Sequence, residues 1–351
     1  MRSTSLPSPR TPVPHAEQRV TIADVAERAG VSKATVSRFV NRRDELLTPE
    51  IAKRVESAIA ALGYSPSPMA QALSRGHSRL IGLVVADVTN PFSVAVLRGA
   101  EMACQEAGYL LMLFNLGDSG LRERDAIAAL ASYQVAGLIL NTMGRDEAAV
   151  VAAARSGRPV VLVDRRHPDM HADFVSLDNA GAVQLAVNHL VSAGWQEFLF
   201  VTEPVAGVSS REDREAAFRA RVSGPTGIRG NVFESTAKNG DDLADAIRAL
   251  RARSPRAAVL ASNSVITLRV AEAVAALGWQ FGRDLGFVGF DETEWAPWVG
   301  PGLTTVAQPT AALGRLAMAC LLERMEGLDV PPRQILLPGE LVPRRSSTAP
   351  V

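Results

Sequence analysis

The sequence predicts an α/β protein in two parts. A small three-helix module comes first, followed by a larger body of parallel sheets flanked by helices and divided into two lobes. Three observations carry this. The stretch Thr21 to Asn41, TIADVAERAGVSKATVSRFVN, reads as two short helices joined by a tight turn. From Leu80 onward, apolar runs of buried-strand length alternate with amphipathic helical patterns, as parallel sheets covered on both faces require. The alternation comes as two blocks in tandem, which implies two lobes with a cleft between them.

Residues 1–18, MRSTSLPSPRTPVPHAEQ, are rich in Pro and Ser and lack an apolar h-region, so they read as a flexible tail and not a signal peptide. Thr21 and Asp24 then have the spacing of a capped helix start. Ile22, Val25 and Ala26 form one apolar face, and Ala29-Gly30 ends the helix, because Gly accepts the left-handed backbone of a sharp stop. Ser32 is a natural N-cap for the second helix, which buries Val36, Phe39 and Val40. Its other side carries Lys33, Ala34, Ser37, Arg38 and Asn41: donors, one small residue and no acid, a combination suited to a DNA major groove. Ser32, Thr35 and Ser37 are short hydroxyls able to reach phosphates. On its own the stretch fits an ordinary helical hairpin with a solvated basic face equally well. Thr48-Pro49 begins a third helix, striped by Ile51, Val55, Ile59 and Leu62 and ended by Gly63. Between Tyr64 and Arg79, Ser67-Pro68 caps MAQALS, about two turns of helix and too short to be stable alone. This piece is expected to fold only when something holds it.

The body follows. LIGLVVADV, YLLMLFNL, AGLILNT and PVVLVD read as strands, with helices near Phe92–Ala107, Leu121–Tyr133 and Glu147–Ser156. A second block starts at FVSLD and continues through EFLFVT, AAVLASN and LGFVGFD, with helices near Gly181–Ala193, Ser210–Val222 and Ser264–Leu277. Open parallel sheets bind ligands beyond the carboxyl ends of their strands. Here those ends are polar: Asp87 to Phe92, Asn115, Asn141, Asp164-Arg165, Asp178-Asn179, Asn263 and Asp291.

Composition narrows the function classes. The chain has 351 residues and 47% hydrophobic content, enough for a sizeable core. Lys+Arg and Asp+Glu are both 37, yet Arg19 to Arg79 holds ten basic and six acidic residues, a net of +4. A basic module on a mildly acidic body fits a phosphate-bearing partner. Cys104 and Cys320 lie in apolar helical patterns without metal or redox spacing and read as buried thiols. No apolar run approaches membrane-spanning length. Nucleotide, phosphate-loop, zinc-protease and nucleophile-elbow motifs are missing, and no catalytic triad or acid–base pair stands out. His167 and His171 read as solvated loop residues and His189 as structural. No catalytic residue, metal ligand or cofactor is expected.

TIADVAERAGVSKATVSRFVN, TPEIAKRVESAIAALGYSP, LIGLVVADVTNPF, PVVLVDR, LDNAGAVQLAVNHL, VGFDETEW, LTTVAQP and LPGELVPRRSS occur in that order, from Val20 to about Ser347. In combination they resemble the lactose/galactose-repressor family of bacterial transcription regulators. The resemblance implies a helix-turn-helix headpiece over 19–64, a hinge helix over 65–78, and a periplasmic-binding-protein-like core over 79–347. Lobe 1 is expected at about 79–175 and 306–333, and lobe 2 at about 176–305 and 334–347, with crossings near Val175, Thr305 and Arg333. Residue by residue, it implies base reading by Lys33, Ala34 and Arg38, and backbone contacts from Thr21, Ser32, Thr35, Ser37 and Asn41. Met69 takes the place of the usual leucine wedge in the minor groove, with Ala70 beside it. Gln71 stands where Arg is common. Effector contacts are implied at Asn90, Phe92, Ser93, Asn141, Asp164, Arg165, Ser210, Arg214, Asn263, Asp291 and Gln308. Phe233, Trp295 and Trp298 are further aromatic candidates for the cleft.

The family further implies a cytoplasmic repressor that acts as a homodimer or higher assembly on a near-palindromic double-stranded operator, switched by a small sugar. NPFSVAVLRGAE, SKATVSRF and GLILNT are most similar to regulators of ketogluconate and hexuronate catabolism, and a sugar acid would give Arg165 or Arg214 a carboxylate to pair with. Two alternatives are a sugar-binding transport protein, which shares the two-lobed core, and a cytoplasmic sugar-processing enzyme.

Overall fold

The computed structural model describes residues 20–40, 47–65, 78–117, 121–142, 148, 151, 157–167, 169–224 and 227–348. The chain divides into two compact units, residues 1–78 and 79–351.

In the first unit, α1 (Ile22–Ala29), α2 (Lys33–Val40) and α3 (Pro49–Leu62) enclose Val25, Ala26, Ala29, Val36, Val55 and Ala58. The start of α1 is held by Thr21, whose N–H and hydroxyl both donate to Asp24 Oδ2, at 2.7 and 2.8 Å. Those bonds, the backbone one foremost, hold the Asp24 carboxyl below its ordinary value. Gly30 closes α1 at φ 64°, and Arg54 of α3 donates to the exposed carbonyls of Ala29 and Gly30, the latter at 2.9 Å. A single guanidinium therefore caps one helix and ties it to another.

The second unit contains two six-stranded sheets. The first has the order β11-β5-β4-β3-β1-β2, comprising β1 (Leu80–Val85), β2 (Leu110–Asn115), β3 (Gly137–Asn141), β4 (Val160–Val163), β5 (Asp173–Leu177) and β11 (Gln334–Leu337), all parallel. The second has the order β12-β10-β9-β8-β6-β7, comprising β6 (Glu197–Thr202), β7 (Arg229–Glu234), β8 (Ala257–Ala261), β9 (Gly286–Phe290), β10 (Thr304–Ala307) and β12 (Glu340–Val342), with only β12 antiparallel. The helices are α4 (Pro91–Glu106), α5 (Leu121–Ser132), α6 (Asn179–Ser192), α7 (Ser209–Val222), α8 (Gly240–Arg253), α9 (Ser264–Ala276) and α10 (Thr310–Met325). In the first lobe α4 and α10 cover one face, and they approach so closely that a Cβ on Gly99 or Gly314 would overlap the other helix's backbone. In the second lobe α6 and α7 cover one face and α8 and α9 the other. Cys104 and Cys320 are buried free thiols, and burial, assisted by Glu101, pushes Cys104 up to about 11.

Several sequence expectations shift. FVSLD does not open the second block: β5 lies in the first sheet between β4 and β11. The crossings fall at Asp178, at Gln308-Pro309 and at Pro338-Gly339, later than Val175, Thr305 and Arg333, because each strand runs to the polar edge before the chain leaves. Residues 334–337 thus pair in the first lobe and residues 306–307 in the second. His167 is buried, not solvated. The helix expected near Glu147–Ser156 lies outside the described residues.

Asp173 anchors the returning segment. Its carboxylate is fully buried and accepts from Arg324 (2.8 and 3.0 Å), from the Arg333 guanidinium (2.8 Å) and from the Arg333 N–H (2.8 Å). Burial alone would raise its pKa, but the hydrogen bonds from Arg324 and Arg333 outweigh burial and hold it far below the usual carboxylate range. With the folded value depressed, the stabilisation is present above the unfolded pKa of about 4 and is lost as pH falls toward the folded value. Asp173→Asn leaves two arginines facing each other and is expected to destabilise the core by roughly 3 kcal/mol at pH 7. Urea denaturation checks this, and an unchanged midpoint would refute the anchor.

Candidate DNA-reading face and effector cleft

Ser32 caps α2, its Oγ accepting from the Thr35 N–H at 3.2 Å and meeting the Thr35 hydroxyl at 3.0 Å. Lys33, Ala34 and Arg38 are exposed on the helix, while Val36 turns wholly into the core. The exposed face of α2 carries Lys33 and Arg38 and no acid. Thr35 and Ser37 are half-buried, and Thr21 is exposed at the start of α1. Asn41, Met69 and Ala70 lie outside the described residues.

In the core, the polar strand ends converge on Arg214. It is almost wholly buried. Its Nε donates to Asn179 Oδ1 at 2.7 Å, Nη1 to the Ser262 carbonyl, and Nη2 to Gln308 Oε1 at 3.3 Å, and the guanidinium lies 4.4 Å from the Phe290 ring centroid. Burial lowers its pKa, countered by the Asp164 and Asp291 carboxylates. Asn179 and Gln308 sit beside two of the three crossings, so one side chain of the second lobe grips both connections. Gln308 donates on to Asp291 Oδ1 at 2.6 Å, and Asp291 Oδ2 accepts the Ser264 N–H at 2.9 Å.

Asp164 and Asp291 occupy matching places just after β4 and β9, and both adopt left-handed backbones, φ 67° and 73°. Such strain in a non-glycine residue costs roughly 1–3 kcal/mol and gathers at binding sites. Asp164 accepts from Ser210 of the other lobe at 3.2 Å and faces Arg165 Nε at 3.5 Å. Arg165 also donates to the Thr142 carbonyl. Arg166 spans the lobes again, donating through its N–H to Ser209 and through its guanidinium to Asp213 at 2.6 Å. Beyond that ion pair opens a groove of about 700 Å³ walled in part by Phe174, Leu177, Asn188 and Leu336.

Asn263 caps α9 and donates to Glu203 at 2.7 Å. Asn141 is buried and donates to the Val163 carbonyl at 3.0 Å. Asn90 caps α4, and the buried Phe92 and Ser93 follow it in that helix. This trio is therefore positioned by α4 and not by Arg214. The aromatic candidates fare differently: Phe233 and Trp295 pack against the α8–α9 core, and Trp298 is 83% exposed. Sequence reasoning placed Asn179 at the polar edge without a role and missed Glu203 and Arg211. Arg211, three residues before Arg214 on the same helix face, was the available signal. Arg211 pairs with Glu203 at 2.6 Å, and burial lowers its pKa.

The chain is similar to known proteins over both of its units. Residues 21–67 match bacterial regulatory proteins of the lacI family, and residues 187–347 match a periplasmic binding protein-like domain. The HTH-type transcriptional regulator PtxS of Pseudomonas plecoglossicida is 44% identical over 332 residues, spanning 95% of this chain and 97% of that one. The solved lac repressor dimer, bound to operator and the anti-inducer ONPF, superposes with a TM-score of 0.81 at 26% identity, covering 95% of this chain and 100% of that one. A transcriptional regulator CelR–cellobiose complex gives 0.67 at 26% identity, covering 93% and 100%. A helix-turn-helix unit joined to a two-lobed binding core defines a ligand-responsive transcriptional regulator. The chain belongs to the lacI family of bacterial regulatory proteins.

Arg214→Met keeps the apolar stem and removes every donor, leaving Asn179 and Gln308 with lost partners. A loss of about 3 kcal/mol in core stability is expected, read by thermal denaturation of the full chain. Wild-type stability would show that the grip on the crossings is dispensable.

Proposed function

We propose that this regulator is a cytoplasmic repressor of sugar-acid catabolism genes. It acts as a homodimer on a near-palindromic operator and is switched by a ketogluconate, ketodeoxygluconate or hexuronate held between its lobes. The observation that carries this is the seam of hydrogen bonds across the cleft, Asp164–Ser210, Arg166–Ser209 and Arg166–Asp213, set beside the buried Arg214 and the half-buried Arg165, either able to pair with a carboxylate. An effector there binds the two lobe angles unequally and so shifts their populations. The exposed apolar side chains Val94, Met102 and Leu110 on α4 and β2 suit burial against a second copy. A symmetric dimer reads a two-fold site, Arg38 and Lys33 choosing bases in the major groove and Met69 wedging the operator centre. The protein acts by binding, without turning over its ligand.

Fluorescence anisotropy on a labelled operator, with and without each sugar acid, tests the switch. A change in operator affinity with at least one of them is expected, and affinity indifferent to all of them would sink it. Arg38→Ala should lose about 1–3 kcal/mol of discrimination between operator and scrambled DNA. Equal weakening on both would contradict its base-reading role. Wild-type affinity should fall steeply with salt.

A further inference from the structure

Five buried hydroxyls in the second lobe have no hydrogen-bond partner among the described residues: Thr202, Ser235, Ser262, Ser264 and Thr293. They are not scattered. Thr202 ends β6, Ser235 and Ser262 follow β7 and β8 directly, Ser264 opens α9, and Thr293 lies just past β9. All five therefore lie at the carboxyl edge of one sheet, where it faces the cleft. Away from that edge, buried hydroxyls of the same lobe are partnered: Ser346 donates to the Phe287 carbonyl and Thr304 to the Arg344 carbonyl, each at 2.9 Å. Buried polar groups are normally satisfied, so a stranded set confined to one edge calls for a ligand-based explanation.

Thr202 and Ser262 are the best placed. β6 and β8 pair in parallel with Val201 opposite Ala261, which sets Thr202 opposite Ser262, and the Ser262 N–H donates to the Val201 carbonyl at 2.9 Å. Two residues earlier on each strand, Phe200 and Leu260 pack in the layer that contains Phe218 of α7. Alternation puts the two hydroxyls on that same face, toward the helix that carries Arg214, which donates to the Ser262 carbonyl. One residue further on, Glu203 and Asn263 are bonded to each other and Arg211 closes on Glu203. The pair thus lies one residue below a polar rim, beside a buried guanidinium.

We infer that Thr202 and Ser262 form a hydroxyl-reading subsite in the floor of the cleft, each taking one hydroxyl of a polyhydroxylated ligand. This rests on the proposal that the cleft holds a sugar acid. A hydroxyl donates and accepts at once, so it suits the neutral polyol end and leaves the arginines to the carboxylate. Neighbouring strands stand about 4.8 Å apart, within the reach of two hydroxyls on one short carbon chain.

The test uses full-length Thr202→Val and Ser262→Ala proteins, titrated calorimetrically with 2-ketogluconate, 2-keto-3-deoxygluconate, galacturonate, glucose and cellobiose, with melting followed in the absence of ligand. Each variant is expected to bind the ligand that wild type binds roughly tenfold more weakly. Each is also expected to melt at the wild-type temperature or above, since a stranded hydroxyl has been removed. Undiminished binding, or ligand-free variants that melt several degrees lower, overturns the subsite, as does a wild type that binds none of the five. If wild type binds only a neutral sugar and both variants weaken it, the subsite stands and the sugar-acid proposal fails.

Discussion

The core depends on a buried cation placed where the chain changes lobes. Arg214 comes from a helix of the second lobe, yet two of its hydrogen bonds go to residues beside interlobe connections, Asn179 and Gln308. A guanidinium taken out of water is costly unless its donors are used and its charge is met. Here both conditions are fulfilled by groups that also define the cleft: a carbonyl at a strand end, an aromatic face, and the fields of Asp164 and Asp291. The chemistry that keeps the cation stable is the chemistry that shapes the polar edge between the lobes. Arg214 thus ties its own helix to two of the connections between the lobes.

The same edge gathers most of the unfavourable features of the second unit, Gln134 ahead of β3 being the one left-handed non-glycine elsewhere among the described residues, at φ 52°. Two aspartates hold left-handed backbones, and unpartnered hydroxyls cluster at the ends of β6 to β9. Elsewhere the core is conventional, with fully buried Phe198, Phe200, Phe218 and Phe287 and an acid locked by two arginines at Asp173. Left-handed aspartates and unpartnered hydroxyls gathered at strand ends fit a surface that serves something other than its own stability.

Much of this was legible in the residues. Caps, glycine stops and apolar stripes specified α1 to α3, because each is a local rule acting within one or two turns. The runs ending in Asn or Asp located the cleft edge, because a parallel strand must be apolar until it leaves the sheet. Strand partnership was not legible: FVSLD looks the same whether it opens one sheet or closes another, and only pairing with β4 and β11 decides. RGNVFE and the helix after it were passed over, since an edge strand with exposed alternate residues lacks a continuous apolar run. Arg214 was flagged, but its burial was not foreseeable, because a guanidinium on a charged helix is as easily solvated. The pairing of Arg211 with Glu203 depends on two segments meeting in space, which no local pattern encodes.

The late crossing at Pro338-Gly339 has a consequence for the order of assembly. Each sheet takes one strand from the segment Gln334–Val342, β11 for the first and β12 for the second. During synthesis neither lobe has its full complement of strands until that segment has emerged. The helix-turn-helix unit, made from the opposite end of the chain, has all its parts long before. The reader of DNA is thus complete first, and the sensor that governs it is finished by a final pair of strands laid down in both lobes at once.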